Sequence, residues 1–199
     1  MCHRLLCYGD SNTYGYDPRS YLGGRYPESV RWTAQLRRYG WQVCNRGENG
    51  RSIPSSDREI SMTVQSLCRV DADVLTVMLG SNDLLQASIP SAQECSKRME
   101  RFLTALLHAD GWGKSRKILL VAPPHMTMGD WVHDGEIIAA FRRLAECYEN
   151  AARLLNVGFA NAGSWGISLT FDSVHFSEAG HLAFARGIHP VLSALVPKD

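Results

Sequence analysis

The sequence lacks any long hydrophobic run and carries almost no net charge. Its apolar stretches are a few residues long, far below the ~20 residues that a membrane-spanning helix needs, and the first ten residues do not have the pattern of a secretory signal peptide. A formal net charge of +1 over 199 residues offers no basic field for nucleic acid or an anionic membrane. We therefore expect a soluble cytoplasmic protein without nucleic-acid or membrane partners.

Motifs for metals, nucleotides and disulfides are also missing. The six cysteines include no CxxC pair, and their position in apolar runs is typical of free thiols in a reducing cytoplasm. No HExxH occurs, and neither GxGxxG nor GxxxxGK[ST] follows a predicted strand. Cys2, His3 and Cys7 are close in sequence, but alternation along a strand would place neighbours on opposite faces. We expect neither a metal ion nor a cofactor.

What the sequence does contain is a regular alternation of short apolar runs and helical patterns. Strands are predicted over residues 4–8, 41–45, 73–79, 117–122 and 157–160, and helices over 27–39, 56–69, 92–109, 135–155 and 178–195. This order predicts an α/β fold, a three-layer α/β/α sandwich around a central, mostly parallel five-stranded sheet. Residues 1–199 are expected to form a single domain, because no repeat or linker divides the sequence, and apolar residues, 45% of the chain, are enough for a full core.

Polar segments follow the predicted strands at the points where the strands end. They are GDSN at 9–12, NRGENG at 45–50, GSND at 80–83 and, before the last helix, DSVH at 172–175. Because the carboxyl ends of parallel strands meet at one edge of a sheet, these segments are expected to converge there. Convergent polar groups at that edge predict an active site.

Three of these residues have the chemistry of a nucleophile with its base. A serine hydroxyl such as that of Ser11 needs a base within about 2.6–3.2 Å to become a nucleophile. A histidine such as His175 titrates near neutral pH and suits that role. Asp172 precedes it in a loop and can accept its second N–H. The alternatives are that Ser11 only caps a helix and that His175 is a surface histidine.

An acyl-transfer site also needs hydrogen-bond donors for a developing oxyanion, each worth roughly 2.7–4 kcal/mol. The backbone N–H groups of Ser11 and Gly50 and the side-chain amide of Asn82 are predicted to supply them. Gly47, in the same glycine turn as Gly50, is the alternative donor, and Asn82 could instead hold a tight turn. Asp10 is expected to brace its loop rather than act in the triad.

Four further residues are predicted to contact substrate: Asn12, Arg51, Trp32 and Trp131. Arg51 could meet an anionic group or form a salt bridge at the pocket rim. Trp32 could line the pocket or belong to the core, and Trp131 lies in the 123–134 loop, which could form a rim.

The four polar segments, in this order, resemble the motifs of the SGNH (GDSL) hydrolases. RLLCYGDSNTYGY at Arg4–Tyr16 is similar to RILCFGDSLTWGW of the mycobacterial-type acyltransferase and arylesterase branch, as is VRWT at 30–33. The resemblance implies a flavodoxin-like fold, Ser11 as nucleophile, Gly50 and Asn82 as oxyanion donors, and Asp172 with His175 as the rest of the triad. Asn12 stands where the family has leucine.

The resemblance implies a serine esterase that hydrolyses small or short-chain carboxylic esters, among them acetyl esters, aryl esters and acetylated carbohydrates. Acyl transfer to alcohols and assembly into homo-oligomers occur in that branch. Alternatives are a lysophospholipase or thioesterase, and a non-catalytic protein that binds a ligand on the same fold. A metal-dependent hydrolase is the least supported alternative.

Overall fold

The computed structural model describes residues 3–20, 22, 24–113 and 115–197, so that Cys2 lies outside the described residues. Five strands form one sheet, with β2 and β1 paired at one end and β5 at the other in the order β2-β1-β3-β4-β5. Every adjacent pair is parallel. The strands are β1 (Arg4–Gly9), β2 (Gln42–Gly47), β3 (Val74–Met78), β4 (Lys117–Ala122) and β5 (Gly158–Asn161).

Helices cover both faces of this sheet, which confirms the predicted α/β/α sandwich. They are α1 (Ser11–Tyr14), α2 (Trp32–Gln35), α3 (Asp57–Cys68), α4 (Ser81–Leu85), α5 (Ala92–Leu107), α6 (Gly135–Leu155) and α7 (Glu178–Leu195). Two 3₁₀ helices add Leu36–Tyr39 and Ala162–Ser164. Among the described parts of the chain, no helix has the length and apolar character needed to cross a bilayer.

The two faces of the sheet carry separate hydrophobic cores. One core includes Phe102 of α5 and Leu144 of α6, and the other includes Trp32 of α2 and Phe184 of α7. The central strand β3 is buried at every position, as expected for a parallel strand covered on both faces. Burial on both sides explains why these strands have continuous apolar sequences rather than alternating ones.

Side-chain caps fix where the long helices begin. Ser56 and Glu59 form a capping box at the start of α3, and Ser91 and Ser177 cap α5 and α7. Each cap satisfies a backbone N–H that the first helical turn leaves without a partner. Asp134 caps α6 in the same way, and the predicted bounds of α6 and α7 are confirmed.

The region predicted as one helix over 27–39 is different. The chain turns at residues 27–31, forms the four-residue α2 and tightens into the 3₁₀ helix Leu36–Tyr39. Arg31 has extended backbone angles directly before Trp32, which ends any continuous helix there, and Gly40 stops the 3₁₀ turn with a positive φ of 85°. The spacing of apolar residues in the sequence does not reveal these breaks, because buried residues occur on both sides of each break.

The strand order reverses at the centre of the sheet, between β1 and β3. In open parallel sheets, ligands bind beyond the carboxyl ends of the strands at such a switch point. The segments after β1 and β3 begin the short helices α1 and α4 there. Neither helix was predicted, because four or five residues are too few to show helical periodicity.

Candidate active site

Ser11 is the first residue of α1, directly after β1. The cap of α1 is Asp10, whose Oδ1 accepts a hydrogen bond from the Asn12 backbone N–H at 3.0 Å. Gly9 allows the tight approach of this turn to β3, because a Cβ at that position would lie 2.8 Å from the Met78 carbonyl oxygen. The Ser11 side chain is therefore held at the switch point by backbone geometry, and Ser11 itself does not cap the helix.

His175 connects Ser11 to Asp172. His175 Nε2 lies 3.0 Å from Ser11 Oγ, and His175 Nδ1 lies 2.7 Å from Asp172 Oδ2. All three residues are buried, with less than a tenth of each side chain exposed to solvent. These contacts are within the distance at which a histidine can take a proton from a serine hydroxyl.

The Asp172 carboxylate is held by several donors besides the histidine ring. Its Oδ1 accepts hydrogen bonds from Thr170 Oγ1 at 2.7 Å and from the backbone N–H groups of Val174 and His175, both at 2.9 Å. Burial alone raises the pKa of Asp172, but the hydrogen bonds from His175, Val174 and Thr170 outweigh burial and lower the pKa to about 2. Asp172 is thus charged at neutral pH and fixes the orientation of the imidazole.

The turn between Asp172 and His175 depends on an unusual backbone conformation. Ser173 has a positive φ of 60°, which is uncommon for a residue with a side chain. Ser173 Oγ also donates to the Met128 carbonyl oxygen at 3.2 Å. This contact joins the turn to the 123–134 loop, so the loop that carries Trp131 is attached to the triad.

Gly50 and Asn82 lie beside Ser11 in the wall of the same cavity. Gly50 has a φ of 73°, which only glycine adopts readily. The Gly47 N–H donates to Asn45 Oδ1 at 2.8 Å, and a Cβ on Gly47 would meet the Tyr14 backbone nitrogen at 2.1 Å. Of the two glycines, Gly50 is the one that faces the cavity.

The Asn82 amide is partly engaged. Asn82 Nδ2 donates one hydrogen to the Arg51 carbonyl oxygen at 3.0 Å, which orients the amide and leaves its second N–H for another acceptor. Within the described part of the chain, neither the Ser11 nor the Gly50 backbone N–H has a hydrogen-bond partner. Each of these three residues lines the same cavity and has an N–H available, and an oxyanion requires such donors.

The cavity at this edge has a volume of about 410 Å³. Its walls are formed by Ser11, Tyr16, Asn49, Gly50, Asn82, Leu85, Gln86, Trp131, Val174 and His175. Two aromatic rings contact the histidine from different sides. The Tyr16 ring centroid is 4.7 Å from that of His175, and the Trp131 centroid is 5.4 Å away in an edge-to-face arrangement. Trp131 is about half exposed, so the predicted rim position agrees with its place at the cavity mouth.

The structure corrects three of the four predicted substrate contacts. Trp32 is 1% exposed, packs against Phe184 and donates its indole N–H to the Asn12 carbonyl oxygen at 3.0 Å. Trp32 therefore belongs to the core. Asn12 is buried too, and both ends of its side-chain amide bond to the backbone on either side of His175.

Arg51 is the third correction, because its guanidinium contacts neighbouring protein groups instead of the cavity. It donates to the Gly9 carbonyl oxygen at 2.8 Å, pairs with Glu48 and lies 4.3 Å from the Tyr8 ring centroid. Arg51 therefore follows the alternative prediction of a salt bridge at the rim, and its side chain does not face the cavity.

Asp10 braces the nucleophile turn, as expected. Burial raises the pKa of its carboxyl to about 6, against the lowering effect of the Asn12 N–H and of the nearby His175. The predicted site residues did not include Thr170, which bonds Asp172, or the cavity residues Asn49, Leu85, Gln86 and Val174. Leu85 and Gln86 come shortly after GSND in the sequence, but α4 decides whether their side chains face the cavity, and α4 was not predicted.

The parallel sheet, its switch point and the Ser11–His175–Asp172 arrangement define a hydrolase of the serine type. The sequence matches the family of GDSL-like lipases and acylhydrolases over residues 7–183, and the chain belongs to that family. Among curated proteins, none matches the sequence significantly.

Solved structures of esterases are similar along the full length. A carbohydrate acetylesterase family member from Sinorhizobium meliloti has 27% identity and a TM-score of 0.84, with 97% of this chain and 98% of that one covered. The aryl esterase of M. smegmatis has 25% identity and a TM-score of 0.83, over 98% and 100%. Est24, a carbohydrate acetylesterase from Sinorhizobium meliloti, has 25% identity and a TM-score of 0.80, over 98% and 100%. The chain is accordingly a serine ester hydrolase.

Proposed function

We propose that the protein hydrolyses small, short-chain carboxylic esters through an acyl-Ser11 intermediate. The contact between Ser11 Oγ and His175 Nε2 at 3.0 Å, with Asp172 at 2.7 Å behind the ring, is the observation that carries this proposal. His175 takes the Ser11 proton as Oγ bonds to the ester carbonyl carbon. His175 then gives this proton to the departing alcohol, and a water activated by His175 releases the acid.

The oxyanion formed in each step is proposed to accept hydrogen bonds from the Ser11 and Gly50 backbone N–H groups and the free Asn82 N–H. These donors are fixed before substrate arrives, by the start of α1, by the turn at Gly50 and by the bond from Asn82 to Arg51. Preorganised donors stabilise charge in the transition state without reorganisation.

The size and lining of the cavity support small substrates. A volume of about 410 Å³ is near the lower end of the roughly 300–1,000 Å³ range of ligand pockets. Tyr16 and Trp131 provide flat apolar surfaces beside His175, which suit an aryl group or the ring face of a sugar. The aryl esterase and carbohydrate acetylesterases among the similar structures support acetyl and aryl esters as the substrate class.

The proposal is tested with p-nitrophenyl esters of increasing acyl length. We expect turnover of the acetyl ester, a decline with longer chains, and loss of turnover in Ser11→Ala. An optimum at octanoyl or longer esters would contradict the short-chain assignment. Full activity of Ser11→Ala would contradict the mechanism.

Acyl transfer to alcohols is tested in the same assay. We propose that an alcohol can replace water in the second step, since both attack the same acyl-serine with His175 as base. Added ethanol should then yield ethyl acetate beside acetate, and it should raise the rate of p-nitrophenol release when the second step limits turnover. Formation of acetate alone would restrict the protein to hydrolysis.

We also propose a reducing, cytoplasmic location. The five described cysteines are free thiols, and such thiols persist in that compartment. Fractionation of the source cells should place the protein with cytoplasmic markers, and recovery with extracytoplasmic material would contradict the proposal.

A further inference from the structure

We infer that Asn12 is a positioning residue, which holds the backbone on both sides of His175 at a fixed distance from Ser11. Asn12 replaces the leucine that names the resembled family, and its side chain does not reach the cavity. The inference rests on the proposed function, in that Ser11 and His175 are taken as the reacting pair. It concerns what sets the distance between them.

One side-chain amide contacts both neighbours of His175. Asn12 Nδ2 donates to the Val174 carbonyl oxygen at 3.0 Å, and Asn12 Oδ1 accepts from the Phe176 N–H at 2.9 Å. Asn12 is 4% exposed, and both bonds are buried. Because Asn12 directly follows Ser11 in α1, these two bonds link the nucleophile's helix to the segment that carries the base.

Asn12 is itself held from two further directions. Its N–H donates to the Asp10 cap, and its carbonyl oxygen accepts the Trp32 indole N–H at 3.0 Å. Trp32 packs against Phe184 of α7, with ring centroids 4.5 Å apart. The amide therefore projects from a rigid point, and its bonds transmit that rigidity to the His175 segment.

The chemistry of the amide matches the two backbone groups. An asparagine side chain carries a donor and an acceptor side by side, so it can pair with a carbonyl oxygen and an N–H that lie two residues apart. Leucine has nearly the same size but leaves both backbone groups without a partner. Aspartate keeps the acceptor for Phe176 and brings a second oxygen against the Val174 carbonyl.

Proton transfer from Ser11 to His175 depends on a short distance, here 3.0 Å. A misplacement of about 1 Å can cost about 10²-fold in rate. Loss of the two Asn12 bonds should therefore slow both acylation and deacylation, in which His175 moves the proton, while the other walls of the cavity keep their place. The expected pattern is a lower kcat at a nearly constant KM, which general destabilisation of the fold does not produce.

The experiment compares Asn12→Leu and Asn12→Asp with a matched control, Asn45→Leu. Asn45 Nδ2 also braces α1, through the Thr13 carbonyl oxygen at 2.7 Å, but it does so from β2. With p-nitrophenyl acetate we expect kcat to fall about 10- to 100-fold in both Asn12 variants at nearly constant KM. Asn45→Leu loses a brace of α1 but keeps both bonds to the His175 segment, so its kcat should fall clearly less than in the Asn12 variants even where its melting temperature falls equally.

A second readout does not depend on activity. The Phe176 amide hydrogen is bonded to Asn12 Oδ1, so its exchange with solvent, followed by NMR, should be faster in Asn12→Leu than in the parent and in Asn45→Leu. If Asn12→Leu does not fold, Asn12→Asp carries the kinetic comparison.

The inference is overturned if folded Asn12 variants keep the parent kcat, or if Phe176 exchange is unchanged in Asn12→Leu. A parent protein without ester turnover would instead refute the proposed function. The exchange measurement would still decide whether Asn12 fixes the His175 segment.

Discussion

Two buried histidines lie on either side of the start of α7, and their surroundings differ. His175 has a carboxylate at Nδ1 and the Ser11 hydroxyl at Nε2. His181 packs against the rings of Tyr26 and Phe176, and its Nδ1 lies 3.4 Å from the Trp32 backbone nitrogen.

Nε2 of His181 has no hydrogen-bond partner among the residues that the structure describes. Burial, with the nearby Arg31 charge, lowers the pKa of His181 to about 3. This histidine stays neutral through the physiological range and has no group to exchange a proton with. The comparison shows that burial alone makes a histidine an inert part of the core, whereas an ordered carboxylate and a hydroxyl make it a base.

The largest predicted effect separates the two histidines directly. His175→Gln should lower kcat by about 10⁶-fold, because removing the base of such a triad costs nearly as much as removing the triad. His181→Gln, the matched control, should leave kcat nearly unchanged once the protein is folded. Rates with p-nitrophenyl acetate test this prediction. Comparable losses of kcat in the two variants would contradict the assignment of His175 as the base and of His181 as a core residue.

The next effect concerns the carboxylate that distinguishes His175. Asp172→Asn should lower kcat by about 10⁴-fold, because the amide no longer stabilises the imidazolium or selects the tautomer that accepts the Ser11 proton. Asp17→Asn is the control, since Asp17 forms a surface ion pair with Arg19. A loss below about tenfold in Asp172→Asn would show that the base acts without its carboxylate.

Asn82→Ala should produce a smaller loss. Removal of one oxyanion donor costs about 10²–10³-fold in kcat, and KM should change little because the donor acts mainly on the transition state. A rise in KM at constant kcat would assign Asn82 to ground-state binding. Asn150→Ala, at an exposed amide on α6, is expected to keep both constants.

The smallest predicted effect is on stability and concerns His181. Its pKa is about 3 in the folded protein and 6.5 in the unfolded reference, so its stabilising contribution is complete above the unfolded pKa and is lost as pH falls below 6.5. Between pH 6.5 and about pH 4.5, the parent should lose about 2 kcal/mol more free energy of unfolding than His181→Phe. Urea unfolding at the two pH values measures the difference, and parallel losses would contradict the assigned environment of His181.

The sequence predicted those features that depend on local pattern. Continuous apolar runs located the central strands, and helical patterning of the sequence located α6 and α7. The convergence of Ser11, Asn82 and His175 followed from the parallel order of strands, because strand ends share one edge of the sheet.

The direction of side chains within the site was not predictable in the same way. Asn12 and Arg51 follow strand ends, as the true cavity residues do, yet their side chains turn to backbone groups. Trp32 enters the core because the helix expected over 27–39 is broken before it. These outcomes depend on contacts between distant segments, which spacing along one sequence does not record.

Ser11 is assigned as the activated nucleophile, and covalent labelling can locate that nucleophile. The folded protein is treated with a serine-directed organophosphonate, and the adduct is located by mass spectrometry while p-nitrophenyl acetate turnover is followed. We predict a single adduct on Ser11 whose appearance parallels the loss of turnover, and no adduct in His175→Gln. Turnover that continues after labelling, or an adduct elsewhere that abolishes it, would contradict the account.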